Sequence, residues 1–212
     1  MRDTPMNPVL HEALWPADGA GLWVKRAVLV VLGIVALTLA AKIKVPVWPS
    51  PVLMSLGTFA VLTVAAAYGP RLGLVTMAGW MLIGALGFDV FQSSSATSSG
   101  IAYMAGPTGG YLVGYMLAAL ALGLAARQGW DRKVAGMALA LLAGNVLIYI
   151  PGLLWLHHLV ATGLHDPATY GSAWSQTIAW GLTPFVLGDA VKLALAALIV
   201  PGLWKLIGSA RT

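Results

Sequence analysis

The sequence predicts an all-α, polytopic membrane protein with six transmembrane helices. Three features carry that prediction: 59% hydrophobic residues against 9% charged, a mean hydropathy of +0.84, and six long, nearly uncharged runs bounded by charges, proline, glycine or aromatic residues. Soluble domains carry about a quarter charged residues, and disordered chains lack apolar surface, so both classes are excluded. The 212 residues include no cysteine, which removes disulfides, thiolate nucleophiles and cysteine-ligated zinc or iron–sulfur centres. The formal charge of +5 is scattered among apolar runs; without a basic stripe interleaved with aromatics, nucleic acid is not an expected partner.

Taken in order, residues 1–23 read as a loose cytoplasmic arm or interfacial segment anchored by Trp15 and Trp23. The first span covers 24–41, with Lys25, Arg26 and Lys42 able to snorkel at its ends. The polar lead before it, with Asp3, Glu12 and Asp18, argues against a signal peptide. The second and third spans, 52–68 and 72–88, flank a tight turn at Gly69-Pro70-Arg71, the fourth covers 110–127, and the fifth, 134–156, follows the turn at 128–133. The sixth, 184–206, begins with Thr183 as N-cap and Pro184 in the first helical turn. Residues 24–207 thus form a single membrane domain and 208–212 a short cytoplasmic tail.

An even number of spans leaves both termini on one side. Nine of the twelve basic residues fall on that side, Lys42 and Lys44 fall on the other, and Lys192 lies within the sixth helix. The positive-inside rule therefore predicts cytoplasmic termini. The connections 42–51, 89–109 and 157–183 then lie outside. They are longer than the inner turns and rich in serine, glycine, proline and aromatics, as a ligand-facing lid is. His157, His158, His165 and Asp166 read as a hydrated part of this outer surface, without metal-ligand spacing, and Asn145 as an interhelical hydrogen bond.

Ionisable groups within a span mark function by default. Asp189 and Lys192 lie about 7 to 12 Å below the outer end of the sixth helix, at 1.5 Å per residue, on one face at i, i+3. A carboxylate accepts from polarised N–H groups and an ammonium neutralises an acid, so the pair suits a ligand carrying both amide-like and acidic groups. The same pair equally describes a mutually neutralising link between helices. At the start of the fourth helix, Gly106-Pro107-Thr108-Gly109-Gly110-Tyr111 forms a turn that directs N–H groups and Thr108 toward whatever sits there, or a simple loop-to-helix boundary. Tyr111 and Tyr115 are i, i+4 partners, and Gln92 precedes the serine-rich stretch of the outer connection. No phosphate-binding loop motif occurs, so no ATP site of that kind is expected. Nor does any second carboxylate, serine–histidine pair or metal motif accompany Asp189, so no catalytic residue is assigned.

Three blocks together resemble the BioY family of biotin transporters: Lys42-Ile43-Lys44-Val45-Pro46 with Pro51 to Thr58, Tyr103 to Tyr111, and Thr183-Pro184-Phe185-Val186-Leu187-Gly188-Asp189-Ala190-Val191-Lys192. The resemblance covers most of the membrane part and leaves out the amino-terminal arm. It implies a substrate-binding component of an energy-coupling-factor transporter, which captures biotin from the outer side and works with a transmembrane coupling subunit and cytoplasmic ATPases. It also implies that Asp189 and Lys192 contact biotin, with Gln92, Thr108 and Tyr111 as secondary ligand-binding residues and no cofactor. One departure falls in the second helix, where Gly57 stands in place of the glutamine common in the family. A proton-coupled or other carrier for a small acidic or amide ligand, or an intramembrane enzyme using Asp189, are the competing readings from the residues alone.

Overall fold

The computed structural model describes residues 7–16, 18–95 and 98–209. The short helix α1 (Leu10–Leu14) precedes α2 (Gly19–Lys42); strands β1 (Lys44–Val45) and β2 (Met54–Ser55) then form an antiparallel pair with Lys44 opposite Ser55. Next come α3 (Gly57–Ala85), the short α4 (Gly100–Met104), α5 (Gly109–Arg127) and α6 (Val134–Leu159), the last prolonged by a π-helical turn over Val160–Leu164. The short α7 (Pro167–Tyr170), α8 (Ala173–Gly181) and α9 (Val186–Ser209) complete the chain, with 3₁₀ turns at Trp130–Arg132 and Thr183–Phe185.

Five helical segments among the described residues are long and apolar enough to cross a membrane: Gly19–Lys42, Gly57–Ala85, Gly109–Arg127, Val134–Leu164 and Ala173–Gly208. The sequence predicts six. The difference lies in α3, which unites the second and third expected spans. At Gly69 the backbone leaves the helical region, with φ 74° and ψ 179°, and Pro70 follows. Only glycine adopts that φ without strain, and proline cannot supply the N–H that a continuing helix needs. A Cβ added to Gly73 would lie 3.5 Å from the Ala65 Cα, whereas residues eight apart in a straight helix are about 12 Å apart. The chain therefore reverses at Gly69, and α3 is a helical hairpin.

The central helix, α5, packs most extensively against α3 on one side and α6 on the other. Gly110 and Gly114 make the α6 contact possible: a Cβ at Gly110 would stand 2.2 Å from the Pro151 carbonyl oxygen, and one at Gly114 2.6 Å from the Ile148 Cα. Small residues at i, i+4 bring two helix backbones together where no hydrophobic effect acts between helices. The core between them holds Leu62, Met77, Leu112, Leu122, Leu141 and Ile148.

Several finer expectations change. The described part of the amino-terminal arm is docked against the bundle: Val9 and Leu10 are buried, Glu12 forms a bidentate ion pair with Arg127 at 2.5 and 2.6 Å, and His11 Nδ1 lies 3.2 Å from the Ala67 carbonyl oxygen. The buried Lys25 donates to the Trp15 carbonyl. The connection 157–183 is largely helical, because Leu159, Val160 and Leu164 extend the apolar run of α6 and His157 stacks on Trp174 at 3.8 Å. Thr183 does not cap the last helix; its hydroxyl donates to the Ile178 carbonyl of α8, and Thr183–Phe185 forms a separate 3₁₀ turn before α9. Asn145 is buried, but its Oδ1 finds no partner among the described residues.

Candidate functional site

All five ligand-binding candidates line one cavity. Asp189 and Lys192 enter from α9, Tyr111 from α5, Thr108 from the turn before it, and Gln92 from the connection after α3. The cavity, its open mouth included, contains about 640 Å³ of space free of atoms. It lies at the end of the bundle that carries the β1–β2 and α3–α5 connections.

A polar group is set among its apolar walls. Lys192 Nζ donates to Asp189 Oδ1 at 3.0 Å and to Thr58 Oγ1 of α3 at 3.2 Å, while the Tyr149 hydroxyl of α6 donates to Asp189 Oδ2 at 2.6 Å. Asp189 and Lys192 are 5% and 8% exposed. Two buried opposite charges persist only when paired and hydrogen-bonded, and here the donors and acceptors come from three helices. Each carboxylate oxygen keeps a second lone-pair site, so Asp189 can accept further N–H groups while Tyr149 and Lys192 hold it still.

The walls are aromatic. Phe91 stacks on Tyr103 with centroids 5.1 Å apart and meets Trp80 edge-on at 4.9 Å; Tyr111 meets Tyr149 edge-on at 6.0 Å. Trp80 is fixed by donating from Nε1 to Thr38 Oγ1 at 3.1 Å, and Tyr111 by donating to the Gly181 carbonyl at 2.8 Å. Trp155 Nε1 donates to the Gly106 carbonyl at 2.9 Å, which holds the glycine-rich turn that presents Thr108. Burial pushes the Tyr103 hydroxyl above its ordinary pKa, so it stays neutral, able both to donate and to accept.

Charged residues clasp the mouth. Lys42 donates to the Asp89 carboxylate and to the Phe91 carbonyl, Lys44 donates to the Gln92 carbonyl, and Ser94 donates to Asp89. The hydrogen bonds from Lys42 and Ser94 hold the Asp89 carboxyl below its ordinary range. Gln92 Oε1 accepts from Ser55 Oγ at 2.9 Å, and Ser55 Oγ accepts from the Gly57 N–H at 3.1 Å.

Sequence reasoning missed Tyr149, Thr58, Trp80, Phe91 and Tyr103 as cavity residues. Tyr149 carried a signal, a hydroxyl inside an apolar span two residues before Pro151. The aromatics carried none, since their types are the same in a core, an interfacial belt and a ligand wall. No group of three or more histidine, aspartate or glutamate side chains is placed to hold a metal ion among the described residues.

The family model described as the BioY family matches residues 9–209. A protein named as a probable biotin transporter BioY from Pyrococcus horikoshii is 31% identical over 175 residues, covering 82% of this chain and 93% of its own length. A biotin transporter BioY from Thermotoga maritima is 34% identical over 170 residues, covering 80% and 90%. Among solved structures, the S-component for biotin from an ECF-type ABC transporter superposes with a TM-score of 0.68 at 19% identity, covering 89% of this chain and 95% of that one. At that identity the superposition speaks for the fold.

Proposed function

The chain belongs to the BioY family, and on that premise we propose that it is a biotin-capture protein of the cytoplasmic membrane, binding biotin from the outer side for uptake. The observation that carries this reading is the buried Asp189–Lys192–Tyr149 group at the base of an aromatic cavity. The Asp189 carboxylate accepts from the ureido N–H groups, which match its remaining lone pairs, and Lys192 donates to the ureido oxygen or to an acid. The aromatic walls cover the bicyclic body, and Thr108 and Tyr111 line its approach. Gln92, bonded to Ser55 beside Gly57, brings a side-chain amide close to the position where the family commonly has glutamine.

The membrane arrangement belongs to the same proposal. Counting the two arms of α3 separately, we read six spans with both termini in the cytoplasm and the cavity mouth outside, a reading supported by the reversal at Gly69 and the distribution of basic residues. The same reading takes 1–23 as a cytoplasmic arm, 24–207 as one membrane domain and 208–212 as a tail; residues 1–6, 17 and 210–212 lie outside the described residues, and α2 already begins at Gly19 while α9 runs to Ser209. Membership of the family implies that the energy for translocation comes from a partner, a transmembrane coupling subunit with cytoplasmic ATPases, and the lack of a phosphate-binding loop motif in this chain fits that reading. The solved biotin S-component of an ECF-type transporter, which shares this fold, supports that division of labour.

Equilibrium binding of labelled biotin to the purified, detergent-solubilised chain tests the reading, with Asp189→Asn and Lys192→Ala in parallel. Tight binding by the parent and its loss in folded variants is the expected result. A well-folded parent that does not bind biotin overturns autonomous capture.

A further inference from the structure

At the end of the bundle away from the cavity, between the docked amino-terminal arm and the turn that joins α5 to α6, lies an open concavity of about 820 Å³. Its polar lining is Arg132, Lys133, Asn7 and Gln128; its apolar lining is Trp130 and Leu139. No ion pair ties Arg132 or Lys133 to an acid among the described residues. The Arg132 guanidinium is nevertheless held in place: it lies 4.6 Å over the Trp204 ring and donates from Nη2 to the Pro8 carbonyl at 3.3 Å. Trp204 is itself fixed by donating to Asp131 Oδ2 at 2.6 Å. A stationary guanidinium beside an ammonium on a flexible stem is a preorganised site for a phosphate group.

What adjoins the concavity selects among phosphates. Leu139 in its wall is 60% exposed, and Leu142, Val146 and Ile150 continue it along α6 at 53%, 49% and 52%. These residues recur three or four apart, so they form one continuous ridge on the helix. In a membrane-spanning helix that ridge faces acyl chains, and Trp130, 43% exposed, is the kind of residue that sits at headgroup level. The geometry points to a binding site for one anionic phospholipid, its headgroup phosphate on Arg132 and Lys133 and an acyl chain along Leu139, Leu142 and Val146. The assignment to the cytoplasmic leaflet rests on the orientation proposed above; the site itself does not. Its position also gives the lipid a role: Asn7 and Pro8 border the headgroup, so an occupied site holds the amino-terminal arm against the α5–α6 turn.

Native mass spectrometry of the full chain in detergent, titrated with dioleoylphosphatidylglycerol or dioleoylphosphatidylcholine, tests this. The parent is expected to hold the anionic lipid roughly tenfold or more tightly than the zwitterionic one. The Arg132→Gln/Lys133→Gln variant is expected to lose the preference, and Lys205→Gln, which removes a cation outside the concavity, to keep it. Lys133→Gln alone, which leaves the Arg132–Trp204 stack intact, is expected to weaken the preference and settles the matter if the double variant does not fold. Equal affinity for the two lipids, an unchanged preference in Lys133→Gln, or an equal loss in Lys205→Gln overturns the site. Displacement of the lipid by millimolar inorganic phosphate overturns the lipid assignment in favour of a free anion. Biotin binding, read on the same samples, is expected to be unchanged in all variants, so failure of the biotin reading and failure of the lipid reading are separate results.

Discussion

Tyr149→Phe removes one hydroxyl from the cavity and leaves the ring and its edge-on contact with Tyr111 in place. That hydroxyl donates to Asp189 Oδ2 at 2.6 Å inside a site where Asp189 is 5% exposed. If Tyr149 orients the carboxylate for the ligand, its loss lets Asp189 turn toward Lys192, its other donor. A hydrogen bond to a charged group is worth about 1.5–3 kcal/mol. At about 1.4 kcal/mol per factor of ten, biotin affinity should fall roughly 10- to 140-fold. Isothermal titration of the detergent-solubilised variant measures this, with thermal melting to show that the fold persists. Unchanged affinity would refute the orienting role, and tighter binding would mean that Tyr149 competes with the ligand for Oδ2.

Other consequences are equally open to measurement. Removing one member of the Asp189–Lys192 pair strands a buried charge, so Lys192→Met should destabilise the chain by about 3–5 kcal/mol while Asp189→Asn/Lys192→Met recovers most of that loss without recovering biotin binding; a double variant that binds biotin would contradict the ligand role. Gly114→Leu places atoms where the Ile148 backbone stands and should cost about 1–3 kcal/mol or more, so a variant that melts with the parent would refute the α5–α6 contact. Lys42→Ala releases Asp89 and Phe91 at the cavity mouth; because exposed pairs contribute about 0.2–1 kcal/mol, biotin should dissociate roughly 1.4- to 5-fold faster. Dissociation as slow as in the parent would argue against a clasp.

The docked arm should respond to pH. Burial lowers the His11 pKa from its ordinary 6.5. At Glu12 burial acts upward, but the hydrogen bonds from Arg127 and the Val9 N–H outweigh it and lower the carboxyl from 4.5. Both groups bind protons more readily when the arm is released. Their contributions to docking are therefore complete above their ordinary values, and are lost as pH falls through the lowered ones, His11 first and Glu12 below it. Protection factors at residues 9–14, that is, exchange rates corrected for the intrinsic pH dependence of amide exchange, should fall on acidification below about pH 6.5, and unchanged or rising protection there would contradict the assigned directions.

What could be read from the sequence, and what could not, follows from the range of the forces involved. Spans are local: apolar runs and the Gly69-Pro70 break lie within single windows, so all the long helices appear near their expected positions. Asp189 and Lys192 were legible because a charge inside an apolar run is too costly to persist without a partner or a ligand. Thr108, Tyr111 and Gln92 come to the same cavity; the glycine-rich turn draws attention to Thr108 and Tyr111, but it reads equally as a loop-to-helix boundary, and the resemblance is needed to favour a ligand role. Contacts between distant residues left no local trace: Glu12 meets Arg127, Tyr149 meets Asp189 and Lys192 meets Thr58 across 115, 40 and 134 positions. In the 157–183 connection the exposed His158 and Asp166 agree with a hydrated surface, but its helical segments were not legible, because the contacts that order it, His157 stacked on Trp174 and Gln176 Oε1 3.0 Å from His165 Nδ1, join residues 17 and 11 positions apart.

The most direct measurement of the central claim is a structure of the chain with biotin bound, at a resolution that distinguishes the ureido ring from the valerate chain. Biotin is expected inside the cavity, its ureido N–H groups within hydrogen-bond distance of Asp189, Lys192 in contact with a ligand oxygen, and the bicyclic body against Trp80, Phe91 and Tyr103. Biotin bound elsewhere, or in the cavity with Asp189 and Lys192 bonded only to each other, would contradict the proposed capture site.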